Sequence, residues 1–74
     1  MRSINEFERG GRVRIKALEC AQGLKKRLAE LGVFEGAQVE IIRNDRKNPL
    51  LLKVFNSKIV LDQKGAGQIY GERI

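Results

Sequence analysis

Acid–base, metal and nucleophilic chemistry each need particular side chains, and this sequence is short of all of them. It contains no histidine, which removes the commonest general base near neutral pH and the commonest metal ligand. Cys20 is the only cysteine, so no internal disulfide can form and a secreted, disulfide-stapled scaffold is excluded. Its neighbours Leu18, Glu19 and Ala21 offer no second thiol, and a cysteine in such a setting reads as a small, inert packing residue. Glu6 and Glu8 lie near one end, while Glu19, Glu30, Glu35, Glu40, Asp45, Asp62 and Glu72 are dispersed. A zinc site draws three or four ligands at short spacings, and no such spacing occurs. A weak carboxylate site built from residues distant in sequence is the only metal chemistry left.

The glycines do not supply a phosphate loop either. The run GAGQIYG (residues 65–71) lacks the Gly-Lys-Ser/Thr ending of a Walker loop, and Tyr70 stands where the dinucleotide fingerprint needs its third glycine. No catalytic constellation, metal site or cofactor site is therefore expected, and the chain does not read as an enzyme.

What the sequence has is cations. Fifteen Lys and Arg against nine Asp and Glu give a formal charge of +6, which favours an acidic partner: nucleic acid, an anionic surface or an acidic protein face. Two groups stand out as candidate partner contacts. Arg12, Arg14 and Lys16 alternate along one segment, and Lys25, Lys26 and Arg27 are consecutive. No apolar run approaches the ~20 residues of a membrane span, and the N-terminus has no signal-peptide core. A soluble, cytoplasmic protein without membrane insertion is expected.

The elements that position these residues can be read from periodicity. With 74 residues the chain is one domain, residues 1–74, burying only ~60% of its unfolded surface and leaving little material for a deep cleft. RVRIKAL (residues 12–18) alternates as a half-buried strand, Val13, Ile15 and Ala17 inward and the three cations outward. GLKKRLAEL (residues 23–31) reads as a short amphipathic helix with Ala21, Leu24, Leu28 and Leu31 as its apolar stripe, stopped by Gly32. Lys25, Lys26 and Arg27 then occupy its first turns, where the helix dipole disfavours cations by ~0.3–1 kcal/mol.

Further strands are expected over residues 37–43, 50–55, 58–61 and 69–74, with a polar turn at 44–49 and a tight hairpin connection at Asn56-Ser57. Residues 62–68 would make one weak helical turn at best, because Gly65 and Gly67 each cost ~1 kcal/mol in a helix interior. Five short strands with one helix between the first two curl into a small barrel or half-open roll, a mainly β fold.

The basic strand, the segment RLAELGVFEG (residues 27–36) and the strand Val39-Glu40-Ile41-Ile42 resemble the ferrous iron transport protein A (FeoA) family. That family's pattern is a leucine-bearing helix, Leu-Gly, a hydrophobic and a variable residue, Pro-Gly, then a β-branched strand. Pro49 opens the next strand pair, and Leu61, Ala66 and Ile69 fall at the family's spacing. The likeness spans about residues 4–74. Glu35 stands where the family has proline, and Gly71 where it has a β-branched residue.

The resemblance implies an SH3-like barrel and a non-enzymatic accessory role in bacterial ferrous iron uptake. Its expected partner is the membrane ferrous iron transporter, met through that protein's cytosolic GTP-binding region. Similar domains end metal-dependent repressors, but the starting Met and the lack of a helix-turn-helix favour a stand-alone chain. The other class of function is a small nucleic-acid-binding barrel. Arg14, Lys16, Lys53 and Lys58 are its basic strand positions, and Phe55 shares a face with Lys53. With four aromatic residues and no RNP-like run, it is the lesser reading, and Phe55 reads as core or hairpin packing.

Overall fold

In the computed structural model, which describes residues 1–74, six strands form one antiparallel sheet in the order β1-β6-β2-β3-β4-β5. The strands are β1 (Arg2–Ser3), β2 (Arg12–Leu18), β3 (Gln38–Arg43), β4 (Leu50–Val54), β5 (Ser57–Leu61) and β6 (Ile69–Arg73). Helix α1 (Gln22–Glu30) joins β2 to β3, and the four-residue α2 (Gln63–Ala66) joins β5 to β6. Extents of 26 × 25 × 23 Å are those of a sheet curled on itself, the small SH3-like barrel the sequence leads one to expect.

Alternation puts the apolar residues inside. Val13 and Ile15 of β2, Val39 and Ile41 of β3, and Leu50, Leu52 and Val54 of β4 are all buried. Ile59, Leu61 and Ile69 complete the sheet's share of the core, and Leu28, Val33 and Ala66 cap it from the connections. Phe7 is its only aromatic, so packing rests on branched aliphatic side chains, each contributing about 1.5–3 kcal/mol when fully buried.

The sixth strand is β1. Two residues carry no periodicity, so sequence pattern could not reveal it. It is held by the pairs Arg2↔Gly71 and Ser3↔Tyr70, and by a following 3-10 turn, Ile4–Glu6, that drops Ile4 and Phe7 into the core. The Ser3 backbone N–H and hydroxyl both donate to Glu6 Oε2, at 3.2 and 2.9 Å. These bonds hold the Glu6 carboxyl below the usual carboxylate range.

Helix α1 ends in a Schellman arrangement. Val33 N–H donates to Leu28 O at 2.8 Å and Gly32 N–H to Ala29 O at 3.1 Å, with Gly32 at φ +103°. The reversal sends Val33, not Leu31, into the core: Val33 is fully buried and Leu31 is 44% exposed. The expected apolar stripe is thus shorter than its spacing indicates, since Ala21 is also exposed and Leu24 only partly covered.

The β4–β5 hairpin is displaced by one residue from its expected position. Val54 pairs with Ser57, so the loop is Phe55-Asn56, and Phe55 rather than asparagine takes the positive φ of 54°.

Two departures from the family pattern have structural explanations. Ala37 N–H donates to Phe34 O at 3.0 Å with Gly36 at φ +93°, which is the form of a type II turn with Glu35 at its second position. Proline suits that position because its φ is preset, and the Glu35 N–H makes no backbone bond that proline would remove. At Gly71 a Cβ would press on Val13 Cγ1 and lie 2.7 Å from the Arg14 carbonyl oxygen. The β2–β6 ladder shifts register between Ile15 and Ala17, and the strands meet too closely beside that bulge for a side chain.

The sheet's edges, β1 and β5, do not pair with each other. Closure there is made by side chains. Asn44 Nδ2 donates to the carbonyls of Asn5 and Phe7 at 2.8 Å each. Gln63 Nε2 donates to Asn44 Oδ1 at 3.2 Å and to Asn48 O at 3.0 Å. Asn5 Nδ2 completes the ring by donating to Gln63 O at 3.3 Å. The adjoining loop is ordered by Asp45, whose carboxylate accepts the N–H groups of Lys47 and Asn48 and the Asn48 side chain, pulling its pKa down to about 2.

Two substitutions follow from these contacts. Asn44→Ala strands two carbonyls and should cost about 1–3 kcal/mol in urea unfolding. Glu35→Pro should raise stability by about 0.4–1 kcal/mol, read from the same curves as a higher midpoint at unchanged slope.

Candidate docking surface

The outer face of β2 carries three of the six cations singled out in the sequence. Arg12 is exposed opposite Glu40 of β3, and Glu40 in turn faces Lys53 of β4. Arg14 is half-buried, and its NH1 donates to Gly36 O at 3.1 Å, strapping the turn before β3. Lys16 lies 3.9 Å from Glu72 with both side chains well exposed, a pair of the kind that contributes at most about 1 kcal/mol.

Lys25, Lys26 and Arg27 are exposed on α1. Lys25 borders a small hollow of about 90 Å³ with Leu18, Ala29 and Phe34. The six cations are thus carried by two different elements, three on β2 and three on α1.

A shallow hollow of about 190 Å³ does gather Arg12, Gln38, Val39, Glu40, Lys53 and Phe55. Phe55 is its unusual member. The residue is 73% exposed, so of the two roles expected of it, core or hairpin packing, the core is excluded. It also holds a left-handed backbone conformation, φ 54°, which costs a bulky residue about 1–3 kcal/mol.

Its ring is placed by Gly32. A Cβ on Gly32 would lie 2.8 Å from Phe55 Cε2 and 2.9 Å from Val54 Cγ1. The glycine that stops α1 therefore also makes room for the hairpin tip. Phe34 is half out at 44% exposure, and Leu31, three residues earlier, has the same value. Both the exposure and the strain of Phe55 escaped the sequence reading, which ended a strand at Phe55 and placed the tight connection at Asn56-Ser57, one residue later than the ladder sets it.

Metal chemistry finds no ready framework in the fold: no three His, Cys, Asp or Glu residues come together. Cys20 is a free thiol half-covered against the core. No helix is long and apolar enough to cross a membrane.

The FeoA domain model matches residues 2–73. The chain belongs to the FeoA family. Membership links it to ferrous iron uptake and to a family of small accessory domains. The FeoA fold also recurs in solved structures. An iron uptake regulatory protein (FeoA) superposes with a TM-score of 0.88 at 14% identity, covering 97% of this chain and 96% of that one. Iron(II) transport protein A from Clostridium thermocellum gives 0.86 at 27% identity, covering 97% of this chain and 45% of that one. A protein named ScaR, solved with bound Zn2+, gives 0.84 at 24% identity, all of this chain lying on 37% of that one. A search of curated protein sequences returned no match.

If the Phe55 ring is displayed rather than needed for folding, Phe55→Asn should leave stability unchanged or raise it by up to about 1 kcal/mol, since asparagine tolerates the left-handed region. Chemical denaturation decides it: a loss larger than that would make the ring a structural element.

Proposed function

We propose that this chain is a non-enzymatic cytoplasmic accessory of ferrous iron uptake that docks on the cytosolic GTP-binding region of the membrane ferrous iron transporter. The observation that carries the reading is Phe55. An aromatic ring is held in solvent at a backbone cost, beside Arg12 and Lys53, on a domain of an iron-uptake family. Strained, exposed aromatics are candidates for recognition, and an aromatic anchor beside an arginine is the composition of a protein-docking hot spot. The charge of +6 suits an acidic face on the transporter and would speed encounter at low salt. The helix patch of Lys25, Lys26 and Arg27 and the remaining β2 cations, Arg14 and Lys16, steer that approach.

Titration of the labelled chain with the purified cytosolic region of its cognate transporter tests this. Saturable binding that weakens with salt is expected. Phe55→Asn should reduce affinity at least ten-fold, ~1.4 kcal/mol, and Arg12→Gln should reduce it less while flattening the salt dependence. Absence of binding at low salt, where charge attraction is strongest, contradicts the proposal.

The same exposed ring between two cations favours a second reading, a barrel that stacks single-stranded nucleic acid on Phe55. It requires oligothymidine binding that falls steeply with salt. A flat anisotropy response at low salt disposes of it.

A further inference from the structure

The largest concavity in the protein lies away from Phe55, where both chain ends meet the loop before β2. Its volume is about 400 Å³, and three arginines, Arg2, Arg9 and Arg73, line it together with Glu6 and Glu8. The arginines come from β1, from the loop and from β6, so the fold rather than local sequence brings them together. None lies within 4.0 Å of a carboxylate, the single ion pair of the protein being Lys16–Glu72. None donates a hydrogen bond, since Arg14 and Arg46 are the only arginines whose side chains do.

Their supports are fixed. The Arg2 guanidinium sits 4.5 Å over the Phe7 ring, which is only 4% exposed; the cation–π contact sets the plane of the fork. The backbone of Arg73 pairs with Val13, and the next residue, Ile74, donates its N–H to Arg12 O at 3.0 Å. The loop carrying Arg9 is pinned by Gly10 N–H on Ile41 O at 2.7 Å and Gly11 N–H on Glu8 O at 3.0 Å. The N–H groups of Glu8 and Arg9 themselves make no bond in the fold. Two acids border the same space. Glu6 accepts from Ser3 through both the backbone and the hydroxyl and is held ionised by those bonds, with the nearby Arg2 charge contributing; Glu8 accepts no hydrogen bond from a side chain.

Three arginines face two carboxylates, Glu6 and Glu8, in the hollow, and the excess positive charge is what a multivalent anion would offset. Guanidinium forks bind phosphoryl oxygens in pairs, and a single phosphate has too few oxygens to engage three forks fully. From this geometry we infer that the Arg2–Arg9–Arg73 concavity is a binding site for a small polyphosphate, the pyrophosphate moiety being the recognised group. The site is separate from the docking surface, and its success or failure is independent of that reading.

The test uses inorganic pyrophosphate on the intact chain, followed by thermal unfolding and by amide shifts. Inorganic phosphate and sulfate at matched ionic strength are the controls. Pyrophosphate should bind saturably, raise the unfolding temperature and shift the amides of residues 8–11 and 73 selectively. Arg9→Gln and Arg73→Gln should each weaken it at least about ten-fold, given the ~1.5–3 kcal/mol of hydrogen bonds to charged groups. Both residues are exposed and bond to nothing, so the variants should unfold at or above the wild-type temperature in pyrophosphate-free, low-salt buffer. The inference is overturned if no saturable shift occurs, if either variant binds as the wild type does, or if phosphate or sulfate stabilises equally, which is general screening.

Discussion

The side-chain amide of Asn44 holds the carbonyls of Asn5 and Phe7, at 2.8 Å each, and much of the molecule hangs on that hold. The two sheet edges have no ladder between them, so the first seven residues would otherwise be tied down by a two-residue strand, two core side chains and the longer bonds of Asn5 to Gln63 O and of Arg46 to Glu6 O. Asn44 fixes them to the β3–β4 loop, and Gln63 ties the same loop to α2. A small domain with a marginal core gains closure here from polar groups, and it does so without leaving a buried side-chain donor or acceptor unpaired. The chain of dependence continues outward. Asn44 positions the backbone of Phe7, Phe7 carries Arg2, and Arg2 is one wall of the largest concavity.

At the other end of the barrel the governing contact is Gly32 against Phe55. One glycine serves as the left-handed stop of α1 and as the space into which the hairpin ring fits. That coupling explains how a strained phenylalanine persists. Five consecutive pairs between β4 and β5 over-determine the hairpin, so the loop conformation follows from the ladder rather than from the preferences of Phe55. Display of an aromatic at a defined place is then a property of the scaffold, with Arg12 and Lys53 supplied by neighbouring strands.

Much of this fold could be read directly from period and punctuation. The inward Val13 and Ile15 of RVRIKAL, the helix stop at Gly32 and the ranges of β3 to β5 to within a residue match the structure, because each reflects a local rule, while the alternation breaks at the bulge before the half-buried Ala17. The misses share a different cause. β1 has no period to read, the Asn44 clasp joins residues far apart in sequence, and the hairpin phase depends on the β4–β5 register. The charges were visible, but not their grouping: Arg12 belongs with Lys53 and Phe55, while Arg2, Arg9 and Arg73 meet only through the topology. Glu35 and Gly71, unexpected against the family pattern, are explained once the turn and the bulge beside them are seen.

The central claim is that the chain serves ferrous iron uptake by presenting Phe55 to a partner, not by chemistry of its own. The most direct measurement is the rate of ferrous iron accumulation in cells that keep the transporter but lack this chain. Three conditions are compared: no complement, the wild-type chain, and Phe55→Asn at equal abundance. The account predicts that the wild type alone restores the normal rate and that Phe55→Asn behaves as the empty control. Full restoration by Phe55→Asn, or a rate indifferent to the chain, would contradict it.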